Sequence, residues 1–254
     1  MCTVTIHRGA ERTLVTMNRD EARGRAEEAP PSLVEESGRP SWLAPTDGEK
    51  GGTWFGINDR GVAAGLLNAY VPGDLALYGR SDVPSRGSII PELLGRDPEQ
   101  GLSWLHHEFD PTPFPSFTLV VVGPGFAECF AWRLDGGVEI TPVEDGWTMV
   151  TSSFWRGDDV VPWRHEAFHQ WLEGGPATRA GIPTFNLLEI ADMREWSPFA
   201  TRSFSLTRSI TQAEIRANES VARLKYWRRE GENPITPDRP SASHTLRLGS
   251  FLNP

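Results

Sequence analysis

Only two cysteines occur among 254 residues, Cys2 and Cys129, too few for a disulfide framework, so the chain reads as a protein of a reducing compartment. Long apolar runs are missing as well. The longest, Leu119 to Val122, falls far short of the roughly 20 residues that cross a bilayer, which argues against a membrane span. The opening Met1-Cys2-Thr3-Val4-Thr5-Ile6-His7-Arg8 has no signal-peptide core, and the expected location is cytoplasmic. No block of Lys and Arg, zinc-finger spacing or helix-turn-helix pattern is present, and the formal net charge of −9 opposes a phosphate backbone. Nucleic acid is therefore not an expected partner. No P-loop or dinucleotide fingerprint accompanies Gly51-Gly52, and His106-His107 lack partners at metal-ligand spacing; neither a cofactor nor a metal is expected. No repeat of roughly 20–50 residues is evident, which argues against a solenoid or propeller.

What is present is the composition of a globular protein: 38% hydrophobic, 23% charged, with 10 tryptophans. No composition shift marks a boundary, and residues 1–254 read as a single domain. Residues 2 to 6 and 13 to 17 alternate and are rich in β-branched side chains, with Gly9-Ala10-Glu11-Arg12 between them, so they predict a β-hairpin at the start of the chain. Its second strand runs out in Asn18-Arg19-Asp20-Glu21. Residues 22 to 50 are rich in Pro, Glu, Gly and Ser and read as a long irregular segment that covers or builds a site. Gly51 to Asn58 reads as turn and strand, Asn58-Asp59-Arg60-Gly61 as a hairpin turn, and Val62 to Asn68 as the returning strand.

Further on, Gly87 to Leu94 predicts a helix start, and Pro98 to Phe109 a second helix with Leu102, Leu105 and Phe109 on one face. Strands are expected at 117–123, 129–134, 138–142 and 147–152. Val161 to Glu173 predicts a helix with Trp163, Ala167, Gln170 and Trp171 along one side. Thr184 to Arg194 reads as a shorter helix capped by Thr184, and Thr201 to Ile210 as a strand. Leu224 to Glu230 reads as irregular or short helix, and Pro234 to His244 as extended. Runs of strands separated by helix pairs indicate α+β layers and not βαβ units.

The residue at position 2 carries the chemistry. Removal of Met1 would leave a thiol and an α-amine on one residue. A free α-amine titrates at about 7.7–8.0 and can act as the general base for its own side chain, with no histidine required. The thiolate is the nucleophile, and a neighbouring guanidinium favours it. Arg19 ends the strand paired with that of Cys2, so the hairpin would bring Arg19 and Asp20 beside it, with Asp20 accepting from the α-amine. Cys129 reads as a small buried hydrophobe. His7 faces either the site or the core. Trp54, Trp155 and Trp163 are candidates either for an apolar pocket or for the core.

Met17-Asn18-Arg19-Asp20-Glu21 resembles the signature of the NRDE family, also called the Transport and Golgi organisation 2 family. Met1-Cys2, Gly51-Gly52-Thr53-Trp54-Phe55-Gly56, Leu66-Leu67-Asn68-Ala69-Tyr70, Ser85-Arg86-Gly87 and Thr201-Arg202-Ser203 resemble its other landmarks, in order. That family is similar to the N-terminal nucleophile hydrolases of the bile salt hydrolase and penicillin V acylase branch. The resemblance implies an α+β fold, a four-layer αββα sandwich with the chain terminus at its centre. Cys2 would be the nucleophile, and Arg19 and Asp20 would position and activate it. The Asn68 backbone N–H would form part of an oxyanion hole, and Arg202 would bind a neighbouring carboxylate or a substrate anion. The sequence departs from the family at Ser153, which stands in Thr151-Ser152-Ser153 where an asparagine is usual, so that a hydroxyl would replace an amide donor. The implied activity is hydrolysis of a linear, non-peptide amide in a small molecule, with apolar, anionic compounds as candidate substrates. The alternative implied by the resemblance is a non-catalytic carrier on the same fold, handling haem, lipid or acyl-CoA.

Overall fold

Alternating side chains at the start of the chain build one face of a sheet. In the computed structural model, which describes residues 2–77 and 80–249, β1 (Cys2–Arg8) and β2 (Arg12–Ala22) form the expected hairpin, with Cys2 opposite Arg19 and Ile6 opposite Val15. Val4, Ile6, Val15 and Met17 point inward, while Thr3, Thr5, Thr16 and Asn18 point to the other face.

The segment expected to be irregular contains two strands, β3 (Ala29–Val34) and β4 (Trp42–Thr46). The prolines that disguise them sit where strands tolerate them: β3 is the edge of its sheet, and its pairing with β4 is interrupted between Ala29 and Ser32. β5 (Phe55–Asn58) and β6 (Ala63–Asn68) form the expected hairpin around Gly61, whose φ of 75° suits glycine. Then come α1 (Ile89–Leu94) and α2 (Pro98–Ser103), the latter continuing as a wide π-type turn through Trp104–Glu108. The middle strands are β7 (Phe117–Gly123), β8 (Phe126–Arg133), β9 (Gly137–Pro142) and β10 (Gly146–Ser152).

Helix α3 (Gly157–Glu173) buries Val160, Arg164 and Phe168, with Trp163, Ala167 and Trp171 half-buried beside them and Gln170 exposed. The expected helix from Thr184 to Arg194 is instead two short 3-10 turns, Thr184–Leu187 and Ala191–Met193, following the small ribbon of β11 (Thr178–Arg179) and β12 (Ile182–Pro183). β13 (Ser205–Arg216) begins later than expected, because Thr201 and Arg202 belong to the turn that enters it. Leu224 to Glu230, expected to be irregular or short helix, falls mostly within the strand β14 (Val221–Arg228), and β15 (Ala242–Arg247) follows it. Ala222, Leu224 and Tyr226 alternate into the core from β14, between polar residues.

Two antiparallel sheets result. One is six-stranded, in the order β10-β1-β2-β13-β14-β15; the other is seven-stranded, β3 to β9 in sequence. They face each other through a core that includes Val4, Ile6, Met17, Phe55, Ile57, Leu67 and Val120. Gly65 lies between them, where a Cβ would meet Phe55, Met17 and Val4 at 3.4–3.6 Å, ordinary van der Waals contact. Ile89, Ile90, Leu93 and Leu94 cover the outside of the seven-stranded sheet against Leu66, Phe117 and Leu119. Phe168 of α3 covers the other with Met149 and Phe185. The layers are therefore helix, sheet, sheet, helix, the expected αββα sandwich. Among the described residues no helix is long and apolar enough to cross a membrane.

Candidate active site

The register of the first hairpin fixes the geometry. Residues directly opposite in an antiparallel ladder project to the same face. Cys2 pairs with Arg19 on one side and Ser152 on the other, so its thiol lies on the inner face of the six-stranded sheet, at the strand end. There it is buried, at 8% exposure, and opens onto a cavity of about 860 Å³. Arg19, Asp20, Thr53, Trp54, Asn68 and Tyr70 share the cavity wall with it.

Arg19 is bound by three carboxylates. Its Nη2 donates to Asp47 at 2.7 Å and Glu21 at 3.3 Å, its Nη1 donates to Glu28 at 3.1 Å, and the guanidinium lies 4.2 Å from the Trp54 ring centroid. These carboxylates come from the segment 21–47, so Arg19 joins the two sheets at the cavity floor. The Arg19 charge lowers the thiol pKa, as expected, but it does not set the balance. Burial raises the Cys2 pKa most and the Asp20 charge adds to that, while the terminal ammonium, the Asp20 backbone N–H and the Arg19 charge pull the other way without prevailing.

Asp20, one residue on, turns its side chain to the opposite face. Its carboxylate accepts from Thr207 Oγ1 at 2.6 Å and from Arg202 Nη1 at 3.2 Å, and Arg164 Nη2 of α3 lies 3.6 Å away. Arg202 thus binds a neighbouring carboxylate from behind the sheet, and it does not line the cavity. Arg164 is not legible in the sequence, since an arginine in an amphipathic helix ordinarily reads as solvent-facing.

Asn68 closes β6 and lines the cavity. Strand alternation sends its backbone N–H the same way as that of Leu66, which donates to the Trp54 carbonyl at 2.8 Å, whereas Ala69 donates to Ser116 on the other side at 3.0 Å. Because β5 starts at Phe55, no strand among the described residues lies beyond Trp54 on the side that the Asn68 N–H takes. Tyr70, which the sequence pattern does not single out as a site residue, stands beside it. Its hydroxyl bonds the Asn68 side chain and lies within electrostatic reach of Cys2, and burial raises its pKa, so the phenol stays protonated.

Ser153 is the expected site residue, together with Arg202, that the cavity wall does not include. It follows Ser152, the partner of Cys2, but its hydroxyl donates to the Trp155 carbonyl at 2.6 Å. Its neighbour Phe154 lines the mouth instead, 58% exposed and edge-on to Tyr70 at 5.4 Å. Trp54 lies in the cavity wall, whereas Trp155 and Trp163 pack against Trp196 elsewhere. His7 lies on the α3 face against Trp147, 4.7 Å between ring centroids. Cys129 is half-buried against the inner core, and burial pushes its thiol up to about 11, as for a packed hydrophobe.

The rest of the cavity wall is amphipathic. Leu66, Leu75, Leu77, Val83, Pro84, Pro115 and Phe154 give it an apolar side, and Arg25, Lys50, Arg80 and Arg86 are its other cations. Its size suits a small organic molecule.

Residues 1–151 match the family model described as Transport and Golgi organisation 2. A search of the curated proteins finds no match. Among solved structures, the chain is similar to the Caenorhabditis elegans ortholog of N-acylethanolamine-hydrolyzing acid amidase, with a TM-score of 0.53 at 12% identity, over 84% of this chain and 92% of that one. It is also similar to the C2A mutant of conjugated bile acid hydrolase from Clostridium perfringens, with a TM-score of 0.40 at 11% identity, over 98% and 97% of the two chains. The first of these likenesses establishes the fold, that of the N-terminal nucleophile hydrolases.

Proposed function

The chain belongs to the Transport and Golgi organisation 2 family, and from that premise we propose that it is an N-terminal cysteine hydrolase that cleaves a linear amide bond in a small molecule. The observation that carries this reading is the position of Cys2: the end of a central strand, thiol inward, at the wall of a cavity large enough for a substrate. A structural cysteine has no need of that position.

In the proposed reaction, removal of Met1 frees the Cys2 α-amine, which takes the thiol proton as the sulfur attacks the amide carbonyl carbon. The C–N bond breaks, the amine leaves with that proton, and a thioester remains on Cys2. Water, deprotonated by the same α-amine, then releases the acid and restores the thiol. The Asn68 backbone N–H supplies one donor to the oxyanion. Ser153, whose proton is committed to Trp155, is a poor second donor, and the protonated Tyr70 hydroxyl is better placed in the cavity. The apolar wall and the cations at its edge favour an acyl chain joined to a polar or anionic group. A reducing compartment, with the cytoplasm as the proposed setting, keeps the sulfur available.

The test combines intact-mass measurement with trapping. The mature protein is expected to lack Met1 and to gain a single acyl adduct on Cys2 when mixed with an activated N-acyl substrate such as an acyl-nitroanilide. Retention of Met1, or an adduct that survives Cys2→Ala, would overturn the mechanism. The carrier reading uses the same cavity without the sulfur, and it predicts that Cys2→Ala binds amphiphilic ligands as well as the wild type does.

A further inference from the structure

The Asp20 carboxylate is met by two buried guanidinium groups where one would neutralise it. Arg202 donates to it at 3.2 Å, and Arg164 stands 3.6 Å away with its side chain fully buried. Burying a cation costs several kcal/mol unless the geometry repays it, so a second guanidinium is expensive for a clamp that the first already closes. Arg202 is not even saturated: its Nε and Nη2 are buried without a hydrogen-bond partner among the described residues. Arg164, in contrast, is fully engaged. Its Nε donates to the Trp196 carbonyl at 2.7 Å and its Nη2 to the Ser197 carbonyl at 2.9 Å. Its Nη1 donates to Thr3 Oγ1 at 2.9 Å and Thr151 Oγ1 at 3.0 Å. The Thr151 hydroxyl in turn donates to the Cys2 carbonyl at 3.1 Å. A continuous path of hydrogen bonds therefore runs from α3 through Thr151 to the backbone of Cys2.

We propose that Arg164 is a positioning residue for Cys2: from α3 it latches the Cys2 carbonyl through Thr151 and, with Arg202 already paired to Asp20, sets a surplus positive charge behind the sheet that carries the thiol. The inference rests on the reading of Cys2 as a nucleophile. Two guanidinium groups against one carboxylate leave a net charge of one, on the face opposite the cavity. Arg164 and Cys2 lie within electrostatic reach of each other. Burial brings the Arg164 pKa down to about 10, and the charges of Asp20 and of an ionised Cys2 oppose that fall. The ionisable groups that bear on Cys2 are the terminal α-amine, Arg19, Asp20 and Glu21 from β2, Tyr70 after β6, Arg86 across the cavity, and Arg164 and Arg202 behind the sheet. Arg19 is already paired with Glu21, Glu28 and Asp47, so among the arginines it is the pair behind the sheet that carries uncompensated charge.

The experiment is the pH profile of Cys2 alkylation by iodoacetamide, read on the Cys2 peptide by mass spectrometry. It needs no substrate, so a failure to find amidase activity leaves it intact. Arg164→Gln removes the charge and is expected to raise the midpoint by about one pH unit, a tenfold loss of thiolate at a fixed pH below it. Arg164→Lys keeps the charge and is expected to restore most of that shift. A merely structural arginine would lower the melting temperature in these variants and leave the midpoints in place, and that result overturns the proposal. If Arg164→Gln fails to fold, Arg202→Gln decides, because it removes the same surplus charge: a raised midpoint supports the proposal, and no change or a fall refutes it.

Discussion

Gly52 lies with its backbone directly against that of Gly87: a Cβ on Gly52 would sit 2.6 Å from the Gly87 carbonyl carbon and 2.7 Å from its oxygen. The Thr53 N–H donates to that same oxygen at 3.0 Å. Two glycine-bearing motifs distant in sequence thus form one edge of the cavity, where Gly52 has no room for a side chain and Gly87 has only a tight fit for one. Gly52→Ala is expected to force the 85–87 segment outward, lower the melting temperature and weaken ligand binding. Gly87→Ala, whose Cβ would meet Thr53 and Gly52 at 3.1–3.3 Å, is expected to be milder. Equal melting temperatures for Gly52→Ala and wild type would contradict this packing.

Arg19 is the joint between the sheets at the cavity floor. Arg19→Met keeps much of the volume and leaves Glu28, itself 3% exposed, without its closest cation. Removing one member of a buried pair costs about 3–5 kcal/mol, and a loss of that order is expected in urea unfolding. A loss below about 1 kcal/mol would mean that Arg208, 3.6 Å from Glu28, takes over the charge.

Asp47 gives the fold a defined acid limit. Burial would raise its pKa, but hydrogen bonds from Arg25 and from the Lys50 backbone N–H, with the charges of Arg25 and Arg19, outweigh that and lower it from 3.8 to about 2. A carboxylate whose folded pKa is depressed stabilises the fold above its unfolded pKa and loses that contribution as pH falls through the folded value. The stability of the wild type is therefore expected to decline from about pH 4 toward pH 2. Asp47→Asn is expected to be less stable at neutral pH and flatter over that interval. Parallel pH curves for the two proteins would assign the acid response to other groups.

Tyr70→Phe removes one hydroxyl from the cavity wall. The lost bond to Asn68 is expected to cost about 1 kcal/mol of stability. On the proposed reaction, acyl-adduct formation should slow by about tenfold or more, with substrate binding little changed. Unchanged acylation would remove Tyr70 from the oxyanion site and leave Asn68 as its donor.

Much of this arrangement is legible in the amino-acid sequence. Period-two alternation in residues 2–6 and 13–17 implies the hairpin, and the hairpin puts Arg19 opposite Cys2. The face that each side chain takes is harder to read. Alternation sends Arg19 inward and Asp20 outward, so two adjacent residues that look like one constellation serve different sides of the sheet. The strand β3 is hidden by Pro30 and Pro31, which an edge tolerates, and β4 by Pro45, which lies beyond the residues paired with β5. β14 is obscured by Arg223 and Lys225, although Ala222, Leu224 and Tyr226 between them follow the strand period. Arg164 leaves no signal, because nothing local distinguishes a helix arginine that reaches a sheet from one that reaches water.

The alternation in Asn18-Arg19-Asp20-Glu21 also makes this stretch intolerant of a frame change. Asn18 reaches Asn186 beneath, Arg19 the carboxylates above, Asp20 the arginines beneath, and Glu21 Arg25 above. Inserting one residue ahead of it would exchange upper and lower partners at a stroke, setting guanidinium against guanidinium on one side and carboxylate against carboxylate on the other. Lengthening or shortening this strand by an odd number of residues is therefore expected to disrupt every one of these pairings at once, where a single replacement disturbs only its own.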